Sequence, residues 1–361
     1  MLEMIQEYLH ERLKTGGEEA TMRRRHARYF VELVERAEPE FRRARCDYWF
    51  GRLDLDLENM RSVLEWSLSG GEVEMGIRLA GSLCLFWYGH GYHVEGHRWT
   101  RQLLARLDEV PLVYHARFLF SAGHMAFLRD FDAGKHLFKR ALETARALED
   151  RLQEAWALAL LGYTMLNERS AALSLVEESL TLFYELEHQP GIAQALNIVG
   201  EIARFHGDDE RARQAYEHCL EVSRHTGETR RIVFVYQNLT FIALHNDETE
   251  RARDLAHHGL LLARSMNSRL ELAKTLATFA GVIGASGQPL QAARLFGASA
   301  RALERLGAFH QLNDQREIDT MIAAVRVQLD EATFQAAWAR GRELELEQAV
   351  ARALGLETDH P

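Results

Sequence analysis

Residues 189–228 show the clearest pattern of apolar and polar positions in the chain, and they predict a helical hairpin. The first helical face carries small and apolar residues at helical spacing, namely Ala195, Leu196, Val199, Gly200 and Ala203. The sequence Gly207-Asp208 interrupts this pattern. A second face follows at Ala212, Ala215, Tyr216, Cys219 and Leu220, and Gly227 closes the segment. Two amphipathic faces separated by such a break are typical of a helix–turn–helix unit.

The hairpin pattern recurs along the chain. A small residue occupies the same place in the second helix of each unit, at Gly96, Gly134, Ala172, Ala212, Ala252 and Ala292. Successive members of this set lie 38, 38, 40, 40 and 40 residues apart. We expect a small side chain there because the second helix crosses the first, and a larger residue would separate them. The repeat predicts an all-α solenoid of six stacked hairpins.

The repeat divides the chain into three parts. Residues 1–72 form an N-terminal helical segment that opens with an amphipathic helix over residues 1–13. Residues 73–306 contain the six repeats, each of 38–40 residues. Residues 307–361 break the period and predict a helical cap over the exposed apolar end of the array. In this cap we expect a loop over residues 306–314, a helix over 316–329, a second helix capped by Asp330, and a third over 346–354.

Composition narrows the class of protein. The chain has 361 residues, of which 47% are hydrophobic and only five are proline, as expected for a folded helical protein. Its formal net charge of −10 argues against nonspecific binding to nucleic acid or to an acidic membrane. No apolar run reaches membrane-spanning length, and Cys46, Cys84 and Cys219 lack metal-type spacing. We therefore expect a cytoplasmic protein with reduced thiols.

Two clusters in the first repeat are candidates for a ligand site or a metal site. The aromatic residues Phe86, Trp87, Tyr88, Tyr92 and Trp99 could bind a ligand through their faces, but core packing is the simpler interpretation. His93 and His97 have the i, i+4 spacing of a metal pair, yet no metalloprotease-type glutamate adjoins them. The chain contains no HExxH motif, no CxxC motif and no serine elbow. We predict no catalytic site, no metal site and no cofactor.

The hairpins resemble tetratricopeptide repeats. Ala212, Tyr216 and Cys219 follow the small–x3–large–x2–small element of that repeat, and Leu196, Val199 and Gly200 match its first helix loosely. The period exceeds the usual ~34 residues. Longer repeats of this kind resemble the C-terminal arrays of bacterial signalling ATPases of the STAND/LuxR type, which regulate transcription. The segments LDLDLENMRSVLEWSLSGGE at 53–72, GIRLAGSLCLFWYGHGYHVEGHRWTRQLL at 76–104 and DEATFQAAWARGRELELEQAVARAL near the end carry this second resemblance.

The resemblance implies both a fold and a role. It implies a right-handed superhelix with helical caps at both ends, acting as the sensor arm of a larger regulator. The chain has no GxxxxGK[ST] loop and no DNA-reading domain, so we expect neither ATP hydrolysis through the family's ATPase site nor direct binding to nucleic acid. Met1 would then lie near a boundary within a longer protein, or would open a shortened gene. Its partner would be a protein or peptide, including the ATPase domain of the same full-length protein.

The resemblance also implies where such a partner would bind. In tetratricopeptide-like arrays the first helix of each hairpin lines the concave surface. By register, the groove predicted here receives Trp156, Tyr163, Asn167, Gln194, Asn197, Glu201, Arg204, Phe234, Gln237, Asn238, Phe241 and His245. Amides beside aromatic residues suit a peptide or a sugar. Ordinary solvated residues, or a contact with another domain, would give the same composition.

Two other functions remain open at this point. The chain could be a stand-alone receptor for an oligosaccharide or a short peptide. It could also assemble into a homo-oligomer through the open ends of the helical array.

Overall fold

The structure is a computed structural model that describes residues 18–266 and 268–356, so the helix predicted over residues 1–13 lies outside it. In this described part the chain forms nineteen α-helices and no strand. The all-α, tetratricopeptide-like solenoid predicted from the sequence is confirmed. The chain divides into two compact units, which separate after Ala157, except that Arg42–Ala44 and Gly89–Gly91 group with the second unit.

The first unit contains seven complete helices and most of an eighth, Cys84–His90, within the described residues. They are α1 (Glu19–Ala37), α2 (Cys46–Asp54), α3 (Leu57–Leu68), α4 (Val73–Ser82), α5 (Cys84–His90), α6 (His93–Leu104), α7 (His115–Phe127) and α8 (Phe131–Ala147). Short 3-10 helices occupy Glu38–Arg42, Leu107–Glu109 and Leu112–Tyr114. Helix α9 (Arg151–Tyr163) begins in this unit and ends in the second.

The second unit contains the remaining ten helices of the described chain. They are α10 (Arg169–Glu185), α11 (Gln189–Phe205), α12 (Asp209–Thr226), α13 (Thr229–His245), α14 (Thr249–Ser265), α15 (Arg269–Ala285), α16 (Pro289–Leu306), α17 (Leu312–Arg326), α18 (Glu331–Glu343) and α19 (Leu346–Ala353). Consecutive helices pack as hairpins, with α11 against α12, α13 against α14, and α15 against α16.

The aromatic cluster of the first repeat belongs to the core of the first unit. Phe86 and Trp87 are almost completely buried, and Tyr88 and Trp99 are also buried. A Cβ atom on Gly96 would lie 2.8 Å from the Trp87 ring, and one on Gly134 would lie 2.6 Å from Cβ of Phe127. The core interpretation is therefore confirmed for these four aromatic residues, whereas Tyr92 is only partly buried. Both glycines allow neighbouring helices to approach each other closely, as the repeat pattern predicts.

The hairpins of the second unit repeat with the predicted 40-residue period. Ala212, Ala252 and Ala292 are completely buried where the second helix of each pair meets its neighbours. Gly207 and Gly287 have positive φ angles of 73° and 80° in the turns inside two of these hairpins, and Asp247 has φ 58° at the equivalent place. Glycine adopts this left-handed conformation without steric cost, whereas Asp247 tolerates it. A turn of one shape thus recurs at intervals of 40 residues.

Three helices follow the last hairpin. Helix α18 lies so close to α16 that a Cβ atom on Gly341 would overlap the backbone oxygen of Arg294. Asp330 caps α18 by accepting a hydrogen bond from the Thr333 amide. Helix α19 packs on α15 and α16. The cap on α18 confirms the role predicted for Asp330. The boundaries of the three predicted segments, 1–72, 73–306 and 307–361, stay predictions.

Helix α17 differs from its predicted form in two respects. It spans Leu312–Arg326 rather than 316–329, and α16 ends at Leu306, so the predicted loop over residues 306–314 is wrong for its first position and its last three. It also packs along α15, where Cβ atoms on Gly281 and Gly284 would overlap Met321 and Val325. The helix therefore lies on the surface formed by the first helices of the hairpins. Among the described helices, none combines the length and the apolar character needed to cross a membrane.

Candidate functional site

Most of the residues of the predicted groove lie on two neighbouring first helices. Helix α11 carries Gln194, Asn197, Glu201 and Arg204, and helix α13 carries Phe234, Gln237, Asn238, Phe241 and His245. Asn197, Glu201 and Arg204 are spaced i, i+4 and i+7, so they share one face of α11. Asn238, Phe241 and His245 are spaced i, i+3 and i+7, so they share one face of α13 in the same way. The two faces meet, because Asn238 and Asn197 are joined by a hydrogen bond of 3.2 Å.

A carboxylate and a guanidinium form the centre of this surface. Asn238 donates to Oε1 of Glu201 at 3.0 Å, and Arg204 donates to Oε2 of Glu201 at 2.9 Å. The guanidinium also lies 4.9 Å from the centroid of the Phe241 ring, which is a cation–π distance. Glu201 and Arg204 are buried, with 4% and 3% of their surfaces exposed. Buried charges are retained only when they are paired and hydrogen-bonded, and this pair satisfies both conditions.

Helix α17 supplies the remaining partners of this centre. Asn313 donates to Oε2 of Glu201 at 2.7 Å. Arg204 donates to Oδ1 of Asp314 at 2.6 Å and to Oε1 of Glu317 at 3.3 Å. Just before the helix, Gln311 accepts a hydrogen bond of 2.9 Å from the Tyr163 hydroxyl. The first turns of α17 therefore cover the part of the predicted groove between α9, α11 and α13.

Burial and charge act in opposite directions at the central pair. Burial raises the pKa of Glu201, and the charge of Arg204 opposes that rise. Burial acts to lower the pKa of Arg204, but the carboxylates of Glu201, Asp314 and Glu317 outweigh it and raise the pKa well above its ordinary value. Burial likewise raises the pKa of Tyr216, which packs beneath this pair. Arg204 therefore stays charged and holds three carboxylates together.

His245 closes the cluster at its solvent side. Its Nε2 atom lies 2.9 Å from Oε2 of Glu317, and its Nδ1 atom lies 3.2 Å from both carboxylate oxygens of Asp209. The hydrogen bond with Glu317 raises the pKa of His245 to about 8, against an opposing effect of burial and with further help from Asp209. Burial acts to raise the pKa of Glu317, but His245 and Arg204 outweigh it and lower that pKa. His245 is therefore largely protonated at neutral pH.

A second, separate group of polar residues lies at the other end of the same surface. Gln194 accepts hydrogen bonds from Arg42 at 3.2 Å and from Arg231. Arg231 lies 3.7 Å from Glu228, which is buried, and this burial raises the pKa of Glu228. Gln194 is thus near the amino ends of α11 and α13, away from Glu201. Gln237 lies between the groups and donates to Thr275 of α15 at 2.9 Å.

Three residues of the predicted groove lie outside these polar groups. Trp156 belongs to the first unit, where its ring centroid lies 6.1 Å from that of Phe120. Asn167 is exposed in the turn that follows α9, and Phe234 is partly buried on α13. Hydrogen bonds join residues of α11 and α13 on one surface. The assignment of all twelve residues to a binding groove stays a prediction.

Asn313, Asp314 and Glu317 complete the site and were not predicted from the sequence. A signal for them exists in the spacing of α17. Asp314 and Glu317 continue, toward the amino end, the stripe formed by Ile318, Met321 and Val325. Acidic residues that extend an apolar stripe are expected to face the same neighbour as the stripe itself.

The chemistry of this site is that of recognition through charge and hydrogen bonds. Its donors are the Arg204 guanidinium, the His245 imidazolium and the Asn238 amide, and its central acceptor is Glu201. Within residues 18–266 and 268–356, no group of three or more His, Cys, Asp or Glu side chains is arranged to hold a metal ion. A few convergent polar groups beside an aromatic ring are typical of a binding surface.

Two curated mycobacterial proteins are similar to part of this chain. They are named as HTH-type transcriptional regulators, one from Mycobacterium tuberculosis and one from Mycobacterium bovis. Each is 25% identical to this chain over 236 residues, covering 62% of this chain and 26% of the relative. The chain thus spans about a quarter of the length of the curated relatives that it matches. No family model matches the chain.

Among solved structures, the chain is similar to a Rap protein in complex with competence and sporulation factor. The two chains are 13% identical, and the TM-score is 0.59 over 93% of this chain and 99% of the Rap chain. At this level of identity the likeness concerns the fold. It agrees with the helical hairpins found here along most of the chain.

Proposed function

We propose that this chain is the regulatory arm of a bacterial signalling ATPase that controls transcription, and that it binds a protein or peptide partner in the predicted groove. The observation that carries the proposal is the buried network of Glu201, Arg204 and Asn238 on the surface of the first helices. Stacked hairpins are stabilised by contacts between neighbouring repeats, whereas this network also contacts α17, which follows the array. Convergent polar groups beside the Phe241 ring are typical of a binding surface, and they support a role in recognition.

The comparisons support the two parts of this proposal separately. The similarity to much longer proteins named as transcriptional regulators favours a role as one arm of a regulator. The similarity of fold to a Rap protein crystallised with competence and sporulation factor favours binding within such an array. Such a partner would contact α11 and α13 together. It would shift the conformational equilibrium of the array toward the arrangement that it binds more tightly.

A selection from a random peptide library on the full chain tests the binding site. Peptides selected on the wild-type protein should lose about tenfold or more in affinity for Asn238→Ala, because the amide that joins α11 to α13 is gone. Arg253→Gln is the matched control, since it removes only an exposed ion pair with Glu250 on α14. Equal binding to all three proteins would contradict a site in the predicted groove.

Transcript sequencing tests the regulatory context. The messenger RNA that encodes this chain should also encode, in the same reading frame, a phosphate-binding loop and a winged helix. A stop codon between such domains and this chain would contradict the arm of an ATPase. Binding of a selected peptide in the groove would then still stand as an independent result.

A further inference from the structure

The two halves of helix α17 are held in different ways. Its first turns contact α11 and α13 through polar groups, since Asn313 reaches Glu201, Asp314 reaches Arg204, and Glu317 reaches both Arg204 and His245. Its later turns are apolar, with Ile318 and Val325 buried and Val325 packed against Gly284 of α15. We name the polar contacts of Asn313, Asp314 and Glu317 the clasp.

We propose that the clasp is an internal ligand, and that the groove's natural partner is an acidic peptide segment whose two carboxylates take the places of Asp314 and Glu317. This inference rests on the proposed function, because it names the chemistry of the partner that the predicted groove binds. The partner and the first turns of α17 would then exclude each other from the groove, while the apolar turns remain on α15.

The charges in the groove select an acidic partner. When Asp314 and Glu317 leave, Arg204 keeps Glu201 as a partner and loses two carboxylates, whereas His245 keeps Asp209 and loses one. Arg204 is buried with several donors directed at the vacated positions, and leaving such donors without acceptors is costly. A basic segment would place a like charge beside Arg204 and His245. An apolar segment would leave both cations without their second acceptor.

The geometry of the clasp sets the spacing of the two carboxylates. Asp314 and Glu317 are three residues apart on a helix, so their side chains point to the same side, one turn apart. Asn313 adds an amide that donates to Glu201. The sequence pattern expected in a partner is therefore Asn-Asp-x-x-Glu, or another segment that presents two carboxylates one helical turn apart.

Because the clasp belongs to the same chain as the groove, it competes strongly with a free peptide for the groove. A segment on the same chain acts at an effective concentration of about millimolar order, so a free peptide with equal contacts binds the wild-type protein weakly. Weakening the clasp without removing the groove should increase the apparent affinity of a free acidic peptide, because the groove is then open more of the time.

The test uses the full chain and a fluorescent synthetic peptide of residues 309–318, acetylated and amidated. Fluorescence anisotropy should show the peptide binding the double variant Asp314→Asn/Glu317→Gln about tenfold or more tightly than it binds the wild-type chain. A peptide with Asn and Gln at positions 314 and 317 should bind at least about tenfold more weakly than the acidic one. The matched control is Asp319→Asn/Glu343→Gln, which removes the same charges from exposed sites and should behave as wild type.

Hydrogen exchange on the same proteins shows whether the variant is folded. The amides at the start of α17 should lose protection in the clasp variant, while those of residues 318–325 keep it. Glu317→Gln alone provides a milder variant if the double variant unfolds. Equal binding of the acidic and amide peptides, or no gain in binding in either clasp variant, would overturn the inference.

Failure of this inference can be told apart from failure of the proposed function. If library-selected peptides bind the wild-type chain in an Asn238-dependent manner but the clasp variants bind them no better, the groove binds partners and α17 is a fixed part of its wall. If no peptide distinguishes Asn238→Ala from wild type, the groove itself is not the binding site and both proposals are wrong.

Discussion

Arg204 on α11 donates a hydrogen bond of 2.6 Å to Asp314 on α17, although the two residues are 110 positions apart in the chain. The side chain of Arg204 is completely inaccessible to solvent. Its charge is therefore balanced by protein carboxylates rather than by water. This one contact links the fourth hairpin of the array to the helix that follows the array, and it makes the site dependent on both.

Replacement of Arg204 should be strongly destabilising. In Arg204→Met the carboxylates of Glu201, Asp314 and Glu317 lose their shared cation, and breaking a buried ion pair in this way costs about 3–5 kcal/mol. The free energy of unfolding from urea titration, followed by circular dichroism, measures the change. Arg253→Met removes an exposed arginine and should change the free energy by less than about 0.5 kcal/mol. Equal losses in the two variants would show that the buried charge is not needed.

The ion pair of His245 predicts how stability depends on pH. Because the hydrogen bond with Glu317 raises the pKa of His245 to about 8, its stabilising effect is complete below the unfolded value of 6.5 and is lost as the pH rises through about 8. Its side chain is one-third exposed, so we expect at most about 1 kcal/mol after solvent screening. The thermal midpoints of wild type and His245→Gln should differ at pH 6 and converge by pH 9.

A second histidine serves as the control for that titration. His218 is exposed on α12, so His218→Gln should follow the wild-type profile across the whole range. A constant difference between wild type and His245→Gln from pH 6 to pH 9 would mean that the imidazole acts through packing rather than through its charge.

The sequence predicted the fold well because the repeat is local. Small residues such as Ala212 and Ala252 recur at a fixed interval, and each hairpin depends on its own turn and its immediate neighbours. The start of α17 was missed for the opposite reason. Its first turn contains Asn313 and Asp314, residue types that favour turns and caps in isolation, and they are helical here beside Arg204 and Glu201 of a distant helix.

The part of the site on α11 and α13 could be predicted because helical register is also a local property of the sequence. Helical register placed Glu201 and Arg204 on one face of α11, and Asn238 and His245 on one face of α13. Register carries no information about which later segment lies on that face. The occupant, α17, is set by long-range complementarity of charge and by the missing side chains of Gly281 and Gly284, and neither can be read from a local pattern.

Gly200 should resist substitution because of the Tyr216 ring. A Cβ atom on Gly200 would overlap Cε1 of Tyr216, which is completely buried and has no room to move. We expect Gly200→Ala to cost about 1–3 kcal/mol through overpacking, more than the gain of about 1 kcal/mol in helix propensity. Gly51→Ala on α2 is the control, because nothing lies within 4 Å of its new Cβ atom and stability should rise. Urea titration should show a lower free energy of unfolding for Gly200→Ala than for wild type, and a higher one for Gly51→Ala.

Gly284 should be the anchor of α17 at the end far from the clasp. A Cβ atom there would overlap Cγ2 of Val325, a β-branched side chain that is almost completely buried and has few alternative rotamers. Gly284→Ala should therefore lift the apolar turns of α17 from α15, and hydrogen exchange should show lost protection along residues 318–325. Asp314→Asn/Glu317→Gln should instead expose only the first turns. If both variants release the whole helix equally, α17 docks as one rigid unit, and the groove could open only by detaching the complete helix.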